Sequence, residues 1–129
     1  SQAKYVRVPF ADSTLMRLPD NISLEAGVLA GDIIPTGFHC ARRGWELSKQ
    51  KPESVGIIGC GPVGLMAVLG AIHHGAEKVF AFDTVLSRLE LAEKFGAIPI
   101  QVKTDVDENI AFILDQTEGR GLDARWRTP

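Results

Sequence analysis

The chain has 129 residues, room for one domain, and its 45% hydrophobic and 23% charged residues exclude a disordered chain. Fourteen Lys+Arg against sixteen Asp+Glu leave a formal net charge of -2, which argues against a nucleic-acid binder that relies on a basic field and against an anionic membrane surface. Cys40 and Cys60 are too few for a disulfide scaffold or a Cys-only zinc site, and the longest apolar run, Val63 to Ile72, is too short to span a bilayer. The N-terminus has no signal-peptide core, so a soluble, cytoplasmic chain is expected. It also lacks an initiator Met, which leaves room for a start inside a longer protein.

Residues 1–50 read as a mixed first part. Lys4 to Pro9 is expected as a short strand with an exit at Pro9, and Leu15 to Leu18 as an apolar run closed by Pro19-Asp20-Asn21. Ser23 is placed to N-cap a helix starting at Leu24-Glu25. That helix meets Gly31-Asp32 and then Pro35, which cannot donate to an interior turn. A second helical piece is expected from Thr36 to Arg43, stopping at Gly44, with Trp45 to Glu53 as a polar linker.

Residues 51–129 have a sharper rhythm. Val55 to Ile58 is a short strand buried on both faces, and the nearly all-apolar run from Pro62 to His74 fits a helix packed on a sheet, ended by Gly75. Lys78 to Asp83 is a second strand; Leu86, Leu89, Ala92 and Phe95 recur at helical spacing before Gly96. Ile98 to Val102 is a third strand, restricted by Pro99, and Val106, Ile110, Ile113 and Leu114 give a third helix capped by Thr104 or Asp105. The order βαβαβα predicts an α/β fold with a parallel sheet covered by helices.

Gly59-Cys60-Gly61-Pro62-Val63-Gly64 spells G-x-G-x-x-G between the first strand and its helix. That context matters more than the spelling. Gly59 would allow the tight turn, Gly61 a close approach of a pyrophosphate to the backbone, and Gly64 close packing of helix on strand. The helix start then offers N–H groups and its positive dipole end to phosphates. Asp83, 19 residues after Gly64, ends the second strand. A carboxylate there can accept from both ribose hydroxyls and repels a 2′-phosphate, so NAD is expected over NADP. A ligand-free glycine turn, an FAD site and a methyltransferase are the competing readings.

With these residues the chain resembles the medium-chain, zinc-dependent alcohol dehydrogenase superfamily. The resemblance runs from about Tyr5 to Asp123, and rests on Asp32-Ile33-Ile34-Pro35-Thr36-Gly37-Phe38-His39, on Gly59 to Leu65, and on Asp83 with Arg88-Leu89 and Ala92. It implies the first half of a Rossmann domain, preceded by the closing segment of a GroES-like catalytic domain. It implies Asp32 as a ligand of a catalytic zinc, Thr36 and Val63 against the nicotinamide, and Arg88 beside the adenosine ribose, with Pro62 in the phosphate turn. The implied activity is hydride transfer between NAD and a small alcohol or aldehyde, with zinc as Lewis acid, in a possible homo-oligomer without nucleic-acid or membrane partners.

From the residues alone, Asp32 is open to two readings: a charge in an apolar run that needs a partner such as a metal, or a cap for the helix restarted near Pro35. His39 reads as packing or solvated, His73 and His74 as a helix end where cations suit the dipole, Arg42-Arg43 as a solvated helix end, Cys40 as core and Cys60 as merely small. The family's other zinc ligands lie upstream of this sequence. Gly121 to Ala124 looks like the approach to a fourth strand, but Arg125-Trp126-Arg127-Thr128-Pro129 does not suit a buried one. A truncation, a shifted frame or a divergent end is expected there, with an exposed sheet edge prone to self-pairing. A zinc-free reductase of the same superfamily, and a non-catalytic NAD-binding module or inactive fragment, remain the alternatives.

Overall fold

The computed structural model describes residues 3–48, 51–102 and 106–127. Its centre is a parallel sheet of β1 (Ser54–Ile58), β2 (Lys78–Asp83), β3 (Ile98–Gln101) and β4 (Ala124–Arg127), in the order β3-β2-β1-β4. The helices are α1 (Ala11–Thr14), α2 (Leu24–Gly31), α3 (Ile33–Leu47), α4 (Pro62–His73), α5 (Leu86–Lys94) and α6 (Asp107–Gln116). From β1 onward strands and helices alternate, giving the expected α/β, Rossmann-like arrangement.

β1 lies between β2 and β4, with Ile57 opposite Ala81 on one side and Trp126 on the other. Val55, Ile57, Phe80 and Ala81 are fully buried, which is why both strands are apolar between their ends rather than alternating. No helix among the described residues is long and apolar enough to cross a membrane.

The closest helix contact is between α3 and α4. A Cβ on Gly37 would stand 2.7 Å from the Val63 carbonyl and 2.8 Å from the Ala67 nitrogen, and one on Gly70 would stand 2.8 Å from the Ala41 Cβ. Both helices therefore meet through small residues, nearly backbone to backbone.

Several expectations need correction. Lys4 to Pro9 is not a strand: Tyr5 and Val6 are exposed, and no strand among the described residues lies beside them to complete a ladder. A one-turn helix, α1, follows instead, and its start at Phe10 takes a left-handed φ of 51°. The second helical piece is longer than expected. α3 begins at Ile33, which puts Pro35 in the first turn, where a missing N–H costs nothing. It also runs through Gly44 to Leu47, so Trp45 to Leu47 are helix rather than linker. Gly44 does not end the helix because it serves as a seat: the indole of Trp126 lies where its Cβ would be.

That contact also explains the largest correction. Ala124 to Arg127 does form a strand, paired in parallel with β1. Alternation turns Ala124 and Trp126 to one face, where Trp126 is only 8% exposed, and leaves Arg125 exposed. One buried face is enough for an edge strand, so the gap expected beside β1 is filled. The expected helix caps Thr104 and Asp105 lie outside the described residues; α6 starts after Val106. Ser23 caps α2 as expected, its hydroxyl accepting from the Ala26 N–H at 3.2 Å.

Candidate functional site

The sheet order reverses at β1: the chain goes to β2 and β3 on one side, then crosses through α6 to β4 on the other. In open parallel sheets the crevice at such a reversal, beyond the carboxyl ends of the strands, is the usual ligand site. The glycine turn stands there, between β1 and α4.

Its backbone shows why the glycines are needed where they are. Gly59 has φ 95°, a conformation L side chains rarely adopt, and its N–H donates to the Phe82 carbonyl at 2.8 Å. Gly61 is the N-cap of α4 in ordinary extended geometry, and a Cβ on it would meet nothing within 4 Å. The absent side chain thus keeps clear a space open to solvent rather than one filled by protein. Pro62 takes the first helical position, no side chain caps the helix, and Gly64 is buried against the interior. The turn and helix start have the form that accepts a phosphate.

Asp83 ends β2 beside this turn, with its side chain 6% exposed. Its Oδ2 accepts from the Cys60 N–H at 2.8 Å and its Oδ1 from the Val85 N–H at 2.9 Å. The exposed Arg88 guanidinium lies 3.6 Å from Oδ2. Burial pushes the carboxyl up, but the N–H groups of Cys60 and Val85, the Arg88 charge and the Thr84 N–H outweigh it and hold it below the ordinary carboxylate range. The same surroundings act oppositely on Cys60, whose thiol is pushed up to about 11, by burial first and then by the Asp83 charge, with Arg88 opposing. Cys60 is therefore no nucleophile at neutral pH.

Asp32 and Thr36 form a second pair, at the start of α3. Asp32 stands at the N-cap but makes no side-chain cap hydrogen bond; instead its Oδ1 accepts from the Thr36 hydroxyl at 2.8 Å. Asp32 is exposed, which removes the argument that it is a stranded charge in an apolar run. Gly37 sits against the Val63 carbonyl, so the α3–α4 contact brings Thr36 and Val63 to the same end of the helix pair. Gly37 belongs to the block that carries the resemblance, but its packing role was not evident there; its signal is a glycine inside a helical run that lacks any turn chemistry. For a metal, Asp32 offers one ligand, and among the described residues no group of three His, Cys, Asp or Glu side chains is placed to hold an ion. These residues alone do not make a zinc site.

The remaining candidates lie elsewhere. His39, His73 and His74 line a shallow groove of about 430 Å³ with Arg42. A groove of about 650 Å³ runs between α3 and β4, past Cys40, Gly44 and Trp126. Neither includes the glycine turn. Arg42 and Arg43 are mid-helix and both pair with Glu46. Cys40 is half-buried against the core.

At the opposite end of the sheet Asp123 ties β4 to β1. Its Oδ2 accepts from the Ser54 N–H and hydroxyl, both at 2.9 Å, and from the Glu53 N–H at 3.0 Å. The Ser54 N–H is the main cause that holds its carboxyl below the ordinary range, against burial; the Ser54 hydroxyl, the Glu53 N–H and Arg120 add to it. Asp83 and Asp123 therefore contribute stability that is complete above the unfolded pKa of about 3.9 and is lost as pH falls through their lower folded values. Acid unfolding is expected below about pH 4, and Asp123→Asn should flatten it. Circular dichroism from about pH 5 to about pH 2 reads this; an unchanged acid limb would mean that other groups dominate.

No family model matches the chain. Individual relatives do. It is 50% identical over 127 residues to a medium-chain reductase/dehydrogenase of an Acremonium species, covering 96% of this chain and 44% of that protein. It is 39% identical over 127 residues to zinc-type alcohol dehydrogenase B of Aspergillus flavus, covering 96% of this chain and 30% of that protein. NADP-dependent isopropanol dehydrogenases, such as that of Thermoanaerobacter brockii at 38% identity over 94% of this chain and 33% of that one, match as well. Among solved structures, an alcohol dehydrogenase from Thermus sp. ATN1 superposes with a TM-score of 0.79 at 38% identity, over 95% of this chain and 34% of that one. The chain thus spans less than half the length of these relatives. Its strand order, glycine turn and near-complete alignment with these proteins agree: the chain belongs to the medium-chain alcohol dehydrogenase superfamily.

Proposed function

We propose that the chain binds the adenosine and pyrophosphate half of NAD, and that the whole protein transfers hydride between NAD and a small alcohol or aldehyde. One observation carries the cofactor reading: Gly61 leaves an open space at the uncapped start of α4, at the reversal of the sheet, with the Asp83 carboxylate next to it. In this reading the first-turn N–H groups of α4 receive the pyrophosphate, and Asp83 and Arg88 flank the adenosine ribose. Thr36 and Val63 form a wall for the nicotinamide. When bound, NAD supplies the hydride acceptor. A carboxylate has about four acceptor positions, so Asp83 retains capacity for a ribose hydroxyl beyond the main-chain donors of Cys60, Val85 and Thr84.

NAD rather than NADP follows from the Asp83 charge, which would face a 2′-phosphate. Arg88 and the NADP-dependent relatives support the opposite reading, so the test is direct. Calorimetric titration of the purified chain should show weak NAD binding, tighter than NADP; tighter NADP binding would reverse the assignment.

The zinc-type relatives support zinc in the whole protein, with Asp32 as one ligand. Catalytic zinc takes about three protein ligands and a water, and the described residues give one. The 129-residue chain should therefore hold no stoichiometric zinc after dialysis, and should not oxidise simple alcohols. Elemental analysis decides the first point. Full occupancy that disappears in Asp32→Ala would show that further ligands join Asp32, such as those of a second copy of the chain.

A further inference from the structure

We propose that Asp83 is a positioning residue that builds the phosphate-binding turn: its carboxylate fixes the Cys60 peptide, and through it Gly61 and the start of α4, before any ligand binds. This rests on the dinucleotide reading above and adds a role separate from contact with the ribose.

Within the turn only Cys60 packs its side chain into the core; the residues on either side of it, Gly59 and Gly61, have none to pack. A side chain on Gly61 would touch nothing, and α4 has no side-chain cap. Besides the buried Cys60 side chain, hydrogen bonds to the end of β2 tie the turn's main chain to the sheet. The Gly59 N–H donates to the Phe82 carbonyl at 2.8 Å, the Cys60 N–H to Asp83 Oδ2 at 2.8 Å, and the Cys60 thiol lies 3.6 Å from the Phe82 oxygen. Of these, only the bond to Asp83 depends on a side chain outside the turn. The carboxylate itself is held from its other side, by the Val85 N–H at 2.9 Å. A group whose only task was to meet a ribose would need neither main-chain donor. Here one carboxylate bridges the glycine turn and the loop after β2, and its burial makes each of those bonds costly to lose.

Charge and architecture predict opposite signs, which makes the role testable. Asp83 is a negative charge beside an anion site, so by charge alone its removal should strengthen binding of a bare anion. If it builds the turn, removal should weaken it. The probes are inorganic pyrophosphate, which has no ribose, and ADP, which has both parts. They are titrated against the purified 129-residue chain, its Asp83→Ala and Asp83→Asn variants, and Asp123→Asn as a control that perturbs the far end of the sheet. Pyrophosphate binding should fall about tenfold in Asp83→Ala, the loss expected for one charge-assisted hydrogen bond. It should fall less in Asp83→Asn, which keeps one acceptor oxygen, and stay unchanged in Asp123→Asn. Pyrophosphate binding that is unchanged or tighter in the Asp83 variants, with ADP weakened, overturns the proposal and leaves a ribose contact only. If neither Asp83 variant folds, the amide protons of Cys60 and Val85 in the unmutated chain decide it. They should titrate together, following one carboxyl group at acid pH; independent behaviour of the two overturns the bridge. Failure of the unmutated chain to bind either probe removes the dinucleotide reading, while the amide titration still judges the bridge.

Discussion

Gly61→Val should remove cofactor binding and leave the fold intact. Gly61 has φ -69° and ψ -178°, open to any L residue, and its missing side chain faces empty space. Stability should therefore change by no more than about 1 kcal/mol, the cost of Val in place of Gly at a helix N-cap. The same space is where the pyrophosphate lies in the proposed complex, so the added isopropyl group would exclude it. NAD affinity should fall at least about a hundredfold, or about 2.7 kcal/mol. A thermal melt beside a calorimetric titration separates the two effects. A folded Gly61→Val chain that still binds NAD would place the phosphates elsewhere.

Gly37→Ala should destabilise strongly, although helix propensity predicts a gain of about 1 kcal/mol for the same change. The new Cβ would overlap the Met66 Cβ, and it would stand 2.7 Å and 2.8 Å from main-chain atoms of Val63 and Ala67. Backbone cannot swing aside as a side-chain tip can, so the two helices must separate. Overpacking of this kind costs about 3 kcal/mol, a fall in Tm of about 10 °C for a chain of this size. Separation would also draw Thr36 away from Val63, so any contact with the nicotinamide would weaken in the whole protein. Gly31→Ala is the control: its Cβ meets nothing within 4 Å, and the substitution should be neutral or mildly stabilising. A Gly37→Ala chain as stable as the original would show that the α3–α4 contact is looser than the structure has it.

Much was legible along the chain because it is local. The strands at 54–58 and 78–83, the helix from Pro62 and the Ser23 cap follow from apolar runs, turn residues and capping chemistry, all settled within a few positions. The glycine spelling between strand and helix is local too, and so is the placing of Asp83 at the end of β2. What failed depended on partners far away in sequence. Lys4 to Pro9 has strand-like residues, but a strand exists only where another pairs with it. Arg125-Trp126-Arg127 reads as unfit for a sheet until the Gly44 seat is known, 82 positions earlier than Trp126, which buries the indole and leaves Arg125 exposed. The chemistry of Asp83 and Asp32 shows the same division. Residue type and spacing marked both as candidates, but whether a carboxylate is buried or exposed, and which donors it meets, is set by the assembled chain. The sheet brought the Cys60 and Val85 N–H groups to Asp83, whereas the break before α3 left Asp32 at the surface with Thr36. Periodicity records only which way a side chain points along its own element; its environment comes from the element packed against it.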